Sequence, residues 1–314
     1  TIIAPGNNHY TPSTNINYLA SEELLSAKII YVGTSAEQKR LTTEVTISPE
    51  GLTAGVHNSD DYAQADLRDS ATYMIGFEAQ DLAGNFANPV GLYNFHVDRT
   101  LPVFSDISPQ SNTYSNNPLF EFTLSEDLYY GKVTFTEEAG SFNPGTKVEF
   151  EMDSVDLSKG FHPRDTLGNQ LPLVDDAVYT IQLAGRDIAD NWNDTTLITN
   201  YHYDITPPIT AILDPLDSSF VNTNAVTISN SEPLLASEMF WINPQGDAKR
   251  IALRTRDLAV GENRLIMYAI SLNENTHYDL FLNIIDLAGN ANQTRITEGI
   301  IYDVTLPILT INKP

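Results

Sequence analysis

The sequence predicts an all-β fold, an elongated array of three tandem β-sandwiches. The first reason is a phrase that occurs three times. Each copy has an aspartate in Asp-x-Ala-x-Asn and, 17 residues later, an aspartate in Asp-x-Thr-x-Pro. The paired aspartates are Asp81 and Asp98, Asp187 and Asp204, and Asp286 and Asp303. Because the copies are offset by 106 and then 99 residues, the pattern predicts domains of about 100 residues.

The second reason is the pattern of short β-type segments inside each repeat. Apolar and polar residues alternate in these segments, and turn-rich stretches such as residues 111–118 separate them. About seven short strands per 100 residues is typical of an immunoglobulin-type sandwich. In the first repeat the predicted strands are B at Ile16–Ala20, C at Lys28–Val32, D at Leu41–Ile47, E after Gly55, F at Thr72–Ala79 and G at Leu92–Val97.

The repeat also predicts the domain boundaries. A run that ends in proline opens each copy, at Ile2–Pro5, Asp106–Pro109, Ile212–Pro215 and Ile311–Pro314. We therefore expect immunoglobulin-like repeats at residues 1–100, 101–206 and 207–306, with residues 307–314 as the start of a fourth repeat. On this interpretation the chain is an excerpt from a longer array.

Two sets of matched aromatic residues are predicted to be architectural. Each repeat contains a Ser-Glu pair, and an aromatic residue stands ten positions after the serine of that pair. These residues occupy the strand-C position that packs into an immunoglobulin-like core; they are Tyr31, Phe135 and Trp241. Tyr73, Tyr179 and Tyr278 stand at the start of strand F, where a tyrosine corner is expected.

Composition narrows the class of protein. The 41 acidic and 17 basic residues give a formal charge of −24, so the basic surface of a nucleic-acid binder is missing. No apolar run reaches the length of about 18 residues that crosses a membrane, so we expect no membrane insertion in this segment. There is no cysteine, which excludes disulfides and thiolate metal sites.

Acidic residues are predicted to converge where one domain meets the next. In an immunoglobulin-like sandwich the B–C and F–G loops share the upstream end, and strand G leaves from the downstream end. Each junction should therefore collect a linker aspartate and two acids of the following domain. The predicted complete sites are Asp98 with Glu126 and Asp187, and Asp204 with Glu232 and Asp286; Glu22, Asp81 and Asp303 form half-sites at the chain ends.

Such clusters favour a bound calcium ion. Carboxylates at short range raise one another's pKa unless a cation neutralises them. Ca²⁺ takes 6–8 oxygen ligands with tolerant geometry, whereas Mg²⁺ prefers strict octahedral sites and Zn²⁺ prefers nitrogen or sulfur. The alternative is turn chemistry alone, because aspartate side chains also stabilise turns.

The combined motifs resemble the tandem bacterial immunoglobulin-like repeats of large surface adhesins and other secreted proteins. Asp-x-Ala-Gly-Asn followed by Asp-x-Thr-x-Pro carries this resemblance through all three repeats. The resemblance implies an extracellular, calcium-rigidified stalk in cell adhesion. Asp190 departs from the pattern, since it replaces the usual glycine, and we expect a different turn there or an extra acidic ligand.

Two classes of function follow from the sequence. The first is the stalk, whose partners are the neighbouring repeats of the same chain. The alternative is a glycan- or protein-binding module of a secreted enzyme or a surface-layer or filament protein. Tyr129, Tyr130 and Trp192 are the aromatic residues that suggest glycan binding, and Trp192 is interpreted as unmatched in the other repeats.

Enzymatic activity is not expected. Known nucleophile, metallohydrolase and phosphate-loop motifs are missing from the sequence. The acid pairs Asp60-Asp61 and Asp175-Asp176 are poor catalytic couples, because adjacent strand residues point to opposite faces. Two matched pairs of histidines lack a partner in the third repeat and are predicted to be exposed strand residues: His57 with His162, and His96 with His202.

Overall fold

Three β-sandwiches follow one another along the chain. The computed structural model describes residues 1–35, 41–166, 172–266 and 270–311. Within these ranges the helical elements are three short 3-10 turns, at Pro49–Leu52, Ser59–Asp61 and Thr255–Leu258. Among the described residues there is no helix with the length and hydrophobicity that a membrane crossing requires. The last three residues of the predicted fourth repeat, 312–314, lie outside the described ranges.

Each sandwich has eight strands within the described ranges. The first contains β1 (Ile2–Ala4), β2 (Tyr10–Thr11), β3 (Asn17–Ala20), β4 (Leu24–Gly33), β5 (Thr42–Thr46), β6 (Gly55–His57), β7 (Ala71–Asp81) and β8 (Val90–Val97). The second contains β9 (Phe104–Ser108), β10 (Tyr114–Ser115), β11 (Leu119–Leu124), β12 (Tyr130–Glu137), β13 (Lys147–Glu151), β14 (Gly160–Thr166), β15 (Ala177–Arg186) and β16 (Thr196–Tyr203). The third contains β17 (Thr210–Asp214), β18 (Phe220–Val221), β19 (Ala225–Asn230), β20 (Leu234–Ile242), β21 (Ala248–Ala252), β22 (Gly261–Ile266), β23 (Thr276–Asp286) and β24 (Ala291–Tyr302).

The three sandwiches share one topology. In the first, β1-β3-β6 form a three-stranded sheet that faces a five-stranded sheet of order β2-β8-β7-β4-β5, and the other two repeat this arrangement. Pairing is antiparallel except where the short second strand runs parallel to the last, as β2 does to β8. The all-β tandem immunoglobulin-like fold predicted from the sequence is confirmed.

The prediction of a strand D at residues 41–47 is wrong. That segment forms β5, which pairs with β4 from Lys28 opposite Thr46 to Val32 opposite Thr42. It is therefore the neighbour of strand C in the five-stranded sheet (a C′ strand), and it does not cross to the other sheet. A cross-strand ion pair between Lys28 and Glu44 at 3.2 Å supports this pairing. Alternation of apolar and polar residues identifies a strand but does not say which sheet it joins.

The predicted core aromatics are confirmed. Tyr31, Phe135 and Trp241 are fully buried, each in the apolar core of its own sandwich. The strands that carry them alternate buried and more exposed residues around these rings, except that Thr134 beside Phe135 is also buried, because successive side chains of a strand point to opposite faces. Each of these rings buries on the order of 150–250 Å² in its sandwich.

The tyrosine corner is present in all three sandwiches. In each one the hydroxyl of the tyrosine accepts a hydrogen bond from a backbone N–H five residues earlier. The pairs are Tyr73 with Arg68 (2.9 Å), Tyr179 with Val174 (2.8 Å) and Tyr278 with Asn273 (2.9 Å). The corner thus fixes the loop that leads into strand F.

Removal of one corner hydroxyl gives a local test of this role. In Tyr179→Phe the ring keeps its packing but the Val174 N–H loses its acceptor, which should destabilise the second sandwich by about 1 kcal/mol. Hydrogen exchange measured by mass spectrometry should show faster exchange around Val174 and unchanged exchange around Arg68 in the first sandwich. Unchanged exchange at both places would contradict a stabilising corner.

The prediction that the four matched histidines are exposed strand residues is wrong. His57 and His162 are buried, and their Nε2 atoms lie 2.7 Å from the backbone oxygens of Thr53 and Ser158. In the third sandwich Asn263 takes this place, and its side-chain amide donates to the matching oxygen of Ala259 at 2.8 Å. An asparagine amide thus takes the place of a histidine ring nitrogen at the same backbone oxygen. For this reason a comparison of residue types finds no histidine in the third repeat.

The other histidine pair is also packed. His96 stacks on Tyr10, and His202 stacks on Tyr114, with ring centroids 4.1 Å apart in both cases. These rings join the short second strand to the last strand of their sandwich. They are architectural contacts near the end of strand G.

Candidate metal centres at the domain junctions

The Asp-x-Ala-x-Asn motif forms the turn between the last two strands of each sandwich, which are strands F and G: β7 and β8, β15 and β16, and β23 and β24. Oδ1 of Asp187 accepts the backbone N–H of Asn191, and Oδ2 accepts the Asn191 side-chain amide, both at 2.8 Å. Asp81 with Asn85, and Asp286 with Asn290, make the same pair of bonds at the same distances. The turn chemistry considered as an alternative is therefore present, and it explains why the motif begins with aspartate.

Asp190 does not change the turn. Its φ of 75° lies in the left-handed region, close to the 88° of Gly84 and the 93° of Gly289 at the matching positions. The Asp190 carboxylate pairs with Arg186 and is not a member of the acidic groups described below. Asp190 thus makes neither the different turn nor the extra ligand expected from the sequence.

The asparagine of the same motif connects successive domains. The side-chain amide of Asn191 donates to the backbone oxygen of Asp98 at 3.0 Å, and that of Asn290 donates to Asp204 at 2.9 Å. Both asparagines are buried, whereas Asn85 of the first sandwich is exposed. The upstream domain therefore covers this turn at both junctions.

The linker motif Asp-x-Thr-x-Pro is itself folded. Oδ1 of Asp98 accepts the backbone N–H of Thr100 at 3.1 Å, and Asp204 and Asp303 do the same for Thr206 (2.9 Å) and Thr305 (2.8 Å). Each linker aspartate therefore closes a turn with the residue two positions later. This bond holds its carboxylate beside the linker backbone.

Sequence reasoning missed the acids that anchor this linker. The threonine hydroxyls of the linker donate to Asp69 (3.0 Å), to Asp175 (2.6 Å) and to Glu274. All three acids stand 29 residues before the linker aspartate of their own repeat. That constant spacing is the sequence signal that identifies these acids, whereas the acid pair Asp175-Asp176 does not by itself point to this role.

The Ser-Glu motif positions the third acid of each junction. Oγ of Ser125 accepts the backbone N–H of Val103 at 2.9 Å, and Oγ of Ser231 accepts that of Ile209 at 3.0 Å. The serine thus fixes the incoming chain at the upstream end of its sandwich. The glutamate that follows it then lies next to the linker.

Three carboxylates from two domains meet at each junction. Asp98, Glu126 and Asp187, here called the first junction cluster, each have a carboxylate oxygen within 4.8 Å of the other two. Asp204, Glu232 and Asp286, the second junction cluster, satisfy the same limit. Asp187 is 2% exposed and Asp286 is fully buried, while the other four acids are half-buried.

The electrostatics of the clusters oppose ionisation. Burial raises the pKa of the Glu126 carboxyl, and the charges of Asp98 and Asp187 raise it further. Burial likewise raises the pKa of Glu232, with added repulsion from Asp204 and Asp286. The pKa values of both linker aspartates are also raised, first by burial and then by the F–G turn acid of the cluster. Such crowding makes it unfavourable for all three carboxylates of a cluster to be ionised at once.

The chain ends show the same residues without the crowding. Hydrogen bonds from Asn85 lower the pKa of Asp81, which is half-buried, and Glu22 is exposed. Among the described residues neither they nor Asp303 belong to a group of three acids that could hold a metal ion. The structure therefore brings together the six acids of the two predicted complete sites and leaves the three predicted half-site residues apart.

The donor set of both clusters fits a hard cation. All six side chains offer carboxylate oxygens, each of which keeps a free lone pair after one hydrogen bond. Two triads that could hold a metal ion are therefore present. An oxygen-only set of this kind is suited to calcium and is a poor match for zinc.

Comparisons with known proteins identify similar folds. No protein-family model matches the chain, and no curated protein matches it. Among solved structures, a tetra-tandem repeat from the extending region of a large adhesion protein is 16% identical, with a TM-score of 0.32 over 94% of this chain and 71% of that one. The chicken CNTN1 FN1-FN3 domains are 11% identical, with a TM-score of 0.31 over 95% and 97% of the two chains.

A bacterial ice-binding adhesin of 1.5 MDa, from a study of host cell surface retention, is also similar. It is 11% identical, with a TM-score of 0.27 over 93% of this chain and 96% of that one. At these identities the similarity concerns the tandem β-sandwich fold alone.

Proposed function

We propose that this chain is a calcium-rigidified spacer, part of the extracellular stalk of a bacterial cell-surface protein of adhesin type. One observation carries the proposal. At both junctions a linker carboxylate of one domain and two carboxylates of the next lie within 4.8 Å of one another. A cation held by all three would join two rigid bodies through the segment that separates them.

Calcium is the cation that the clusters favour. Three like charges at this distance, two of them with raised pKa values through burial and repulsion, need neutralisation. The ion would have the three carboxylates of a cluster as ligands and would find further oxygen ligands in backbone carbonyls and water. Calcium accepts such mixed oxygen sets because its coordination number and geometry are tolerant.

The turns around the clusters explain how binding would become stiffness. The linker is already held to its own domain by Thr206 and Asp175, and to the next by Asn290. Pro207 and Pro208 follow directly, and proline fixes φ. The hinge between domains is therefore short, and a cation between Asp204 and Asp286 would remove most of its remaining freedom.

Spin-label distances test the proposal directly. The chain has no cysteine, so single introduced cysteines can be labelled selectively. Thr42 and Lys147 are exposed, lie in matching edge strands and report on the first junction, while Lys147 and Ala248 report on the second. We expect narrow distance distributions in calcium and broad ones in excess chelator for both pairs. Equally narrow distributions under both conditions would contradict a role of calcium in stiffness.

The second junction has contacts that do not depend on a cation. The backbone N–H of Asn116 donates to Ala288 at 3.2 Å, and its side-chain amide donates to Asn290 at 3.1 Å. The residue at the matching position of the first sandwich is Pro12, which has neither donor. We therefore expect the second junction to stay more ordered than the first when calcium is removed.

Replacement of Asn116 checks this expectation. In chelator, Asn116→Ala removes the side-chain bond to Asn290 but keeps the backbone bond to Ala288, so it should broaden the distance distribution between labels at positions 147 and 248 part of the way to the width found between positions 42 and 147. Asn222→Ala changes the matching residue of the third sandwich and serves as the control, which should leave both distributions unchanged. A second junction that is as broad as the first before any substitution would refute the expectation.

A further inference from the structure

The second sandwich carries a cluster of aromatic side chains at its F–G end. The aromatic platform consists of Tyr129, Tyr130 and Trp192: the rings of Tyr129 and Trp192 lie against the guanidinium of Arg186, and Tyr130 packs against Trp192. The Arg186 guanidinium carbon lies 5.0 Å from the ring centroid of Tyr129 and 5.9 Å from that of Trp192. The rings of Tyr130 and Trp192 meet edge to face, with centroids 6.1 Å apart and planes at 71°.

These rings do not serve the core of the domain. Tyr129 is 65% exposed and Trp192 is 47% exposed, and neither belongs to the buried cluster of the second sandwich. Aromatic rings with a large exposed face and a polar edge are enriched at binding surfaces, because one side is apolar and the other can hydrogen-bond. Their position next to a turn leaves their outer faces accessible.

The matching positions of the other sandwiches lack the platform. Tyr129 and Tyr130 correspond to Leu25 and Ser26 in the first sandwich and to Leu235 and Ala236 in the third, as the strand pairing shows. Trp192 corresponds to Phe86 and to Ala291. The sequence interpretation of Trp192 as unmatched is therefore wrong for the first sandwich, but a single phenylalanine there has no second ring beside it at these positions.

Asp190 holds the arginine within this group. Its carboxylate pairs with Arg186, and it occupies a left-handed position where the other two sandwiches have glycine. A non-glycine residue at such a position is uncommon, and its side chain here completes a ring–guanidinium–carboxylate arrangement. The Arg186 Nε is buried and has no hydrogen-bond partner among the described residues. The rest of the ion pair is accessible, since the Arg186 side chain is 29% exposed and the Asp190 side chain is 70% exposed, so the platform offers apolar faces beside both a donor and an acceptor.

We propose that the aromatic platform is a binding site for a neutral saccharide. The C–H face of a pyranose ring would stack on Trp192 and Tyr129, since ring faces are electron-rich and attract weakly positive hydrogens. Sugar hydroxyls both donate and accept, and they would bond to Arg186 and Asp190. This function goes beyond that of a spacer and uses none of the junction acids.

Charge and size select this class of ligand. The positive charge of Arg186 is already paired, and the chain carries a net charge of −24, so an acidic saccharide would be repelled. A protein partner normally covers about 800 Å² on each side of a stable interface. Three rings and one ion pair are much smaller than that, and they match one to three sugar units.

A saccharide array with the full chain tests the proposal. The chain, in calcium, is applied to printed neutral and acidic oligosaccharides, and the strongest hit is titrated in solution. Trp192 and Trp241 are the only tryptophans, and Trp241 is fully buried, so quenching of tryptophan fluorescence by iodide reports on Trp192. We expect a neutral oligosaccharide to bind and to protect Trp192 from iodide.

Variants assign the binding to the platform. Trp192→Ala and Tyr129→Leu should each weaken binding at least tenfold, and both introduce residues found at matching positions of another sandwich, so folding should be retained. Phe86→Ala removes the lone matching ring and should leave affinity unchanged. Asp204→Ala, which alters only the second junction cluster, should also leave it unchanged, so that failure of the spacer proposal and failure of this one are distinguishable.

Several results would overturn the proposal. These are binding to no neutral saccharide, preference for acidic saccharides, and full affinity in both platform variants. A protein ligand that needs Trp192, found in the absence of saccharide binding, would also refute it.

Discussion

Replacement of Asp204 by alanine is expected to abolish tight calcium binding at the junction of the second and third sandwiches. Asp204 supplies one of the three carboxylates of the second junction cluster. Loss of a charged ligand should weaken affinity there by at least about tenfold, which corresponds to roughly 1.4 kcal/mol or more. The first junction cluster uses other loops and should keep its affinity. Titration calorimetry on the variant should therefore show one tight site fewer.

Asp303→Ala is the matched control for this variant. Both aspartates accept a hydrogen bond from the backbone N–H two residues later. The distance is 2.8 Å from Thr305 to Asp303 and 2.9 Å from Thr206 to Asp204. It belongs to no three-acid group among the described residues. The two variants therefore differ mainly in the loss of a cluster carboxylate. Equal calcium binding by both would show that Asp204 acts only as a turn former.

Rigidity should be lost at the same place. In calcium, Asp204→Ala should broaden the distances between labels at positions 147 and 248 and leave those between positions 42 and 147 narrow. All three sandwiches should stay folded, because a half-buried linker aspartate contributes little to a core. Unfolding of a sandwich in this variant would indicate a structural role for Asp204 in place of a ligand role.

Calcium is also expected to raise the thermal stability of the second and third sandwiches. An ion that binds only the folded state at 100 times its Kd adds about 2.7 kcal/mol per site. For domains of about 100 residues this corresponds to a rise in melting temperature on the order of 10 °C. The first sandwich lends only Asp98 to a cluster and should respond less.

Calorimetric scans in calcium, in magnesium and in chelator measure this difference. Magnesium at equal concentration controls for ionic strength and should reproduce little of the effect, since it dehydrates reluctantly and demands stricter geometry. The repulsion that calcium relieves among the carboxylates near Glu126 and Glu232 is part of the same binding free energy and is included in this difference. Identical melting curves in calcium and chelator would contradict binding at the clusters.

Much of the fold could be predicted from the sequence because its repeats make the signals redundant. The core aromatics and the tyrosine corners recur at fixed spacing, and each depends on local strand periodicity. The convergence of the six cluster acids at the junctions could be predicted from the topology. Strand G leaves the downstream end of one domain, and the F–G turn lies at the upstream end of the next domain, so the two meet. Their role as ligands stays a prediction.

Other features depend on contacts that residue matching does not reveal. β5 joins the sheet of β4 through side-chain and backbone pairing, which alternation alone cannot assign. Asn263 replaces a histidine because an amide and an imidazole can donate to the same carbonyl. The anchoring role of Asp69 and Asp175 became visible only when the linker threonines were seen to contact them.

The number of tight calcium sites on the intact chain is the most direct test of the junction model. Titration of the apo protein by calorimetry should give two tight sites, one for each cluster of three carboxylates, with weak or no binding at the chain ends. Three equivalent tight sites would instead place calcium within each sandwich, at the F–G turn. The aspartate of that turn is Asp81 in the first sandwich, Asp187 in the second and Asp286 in the third. No tight binding at all would contradict calcium rigidification outright.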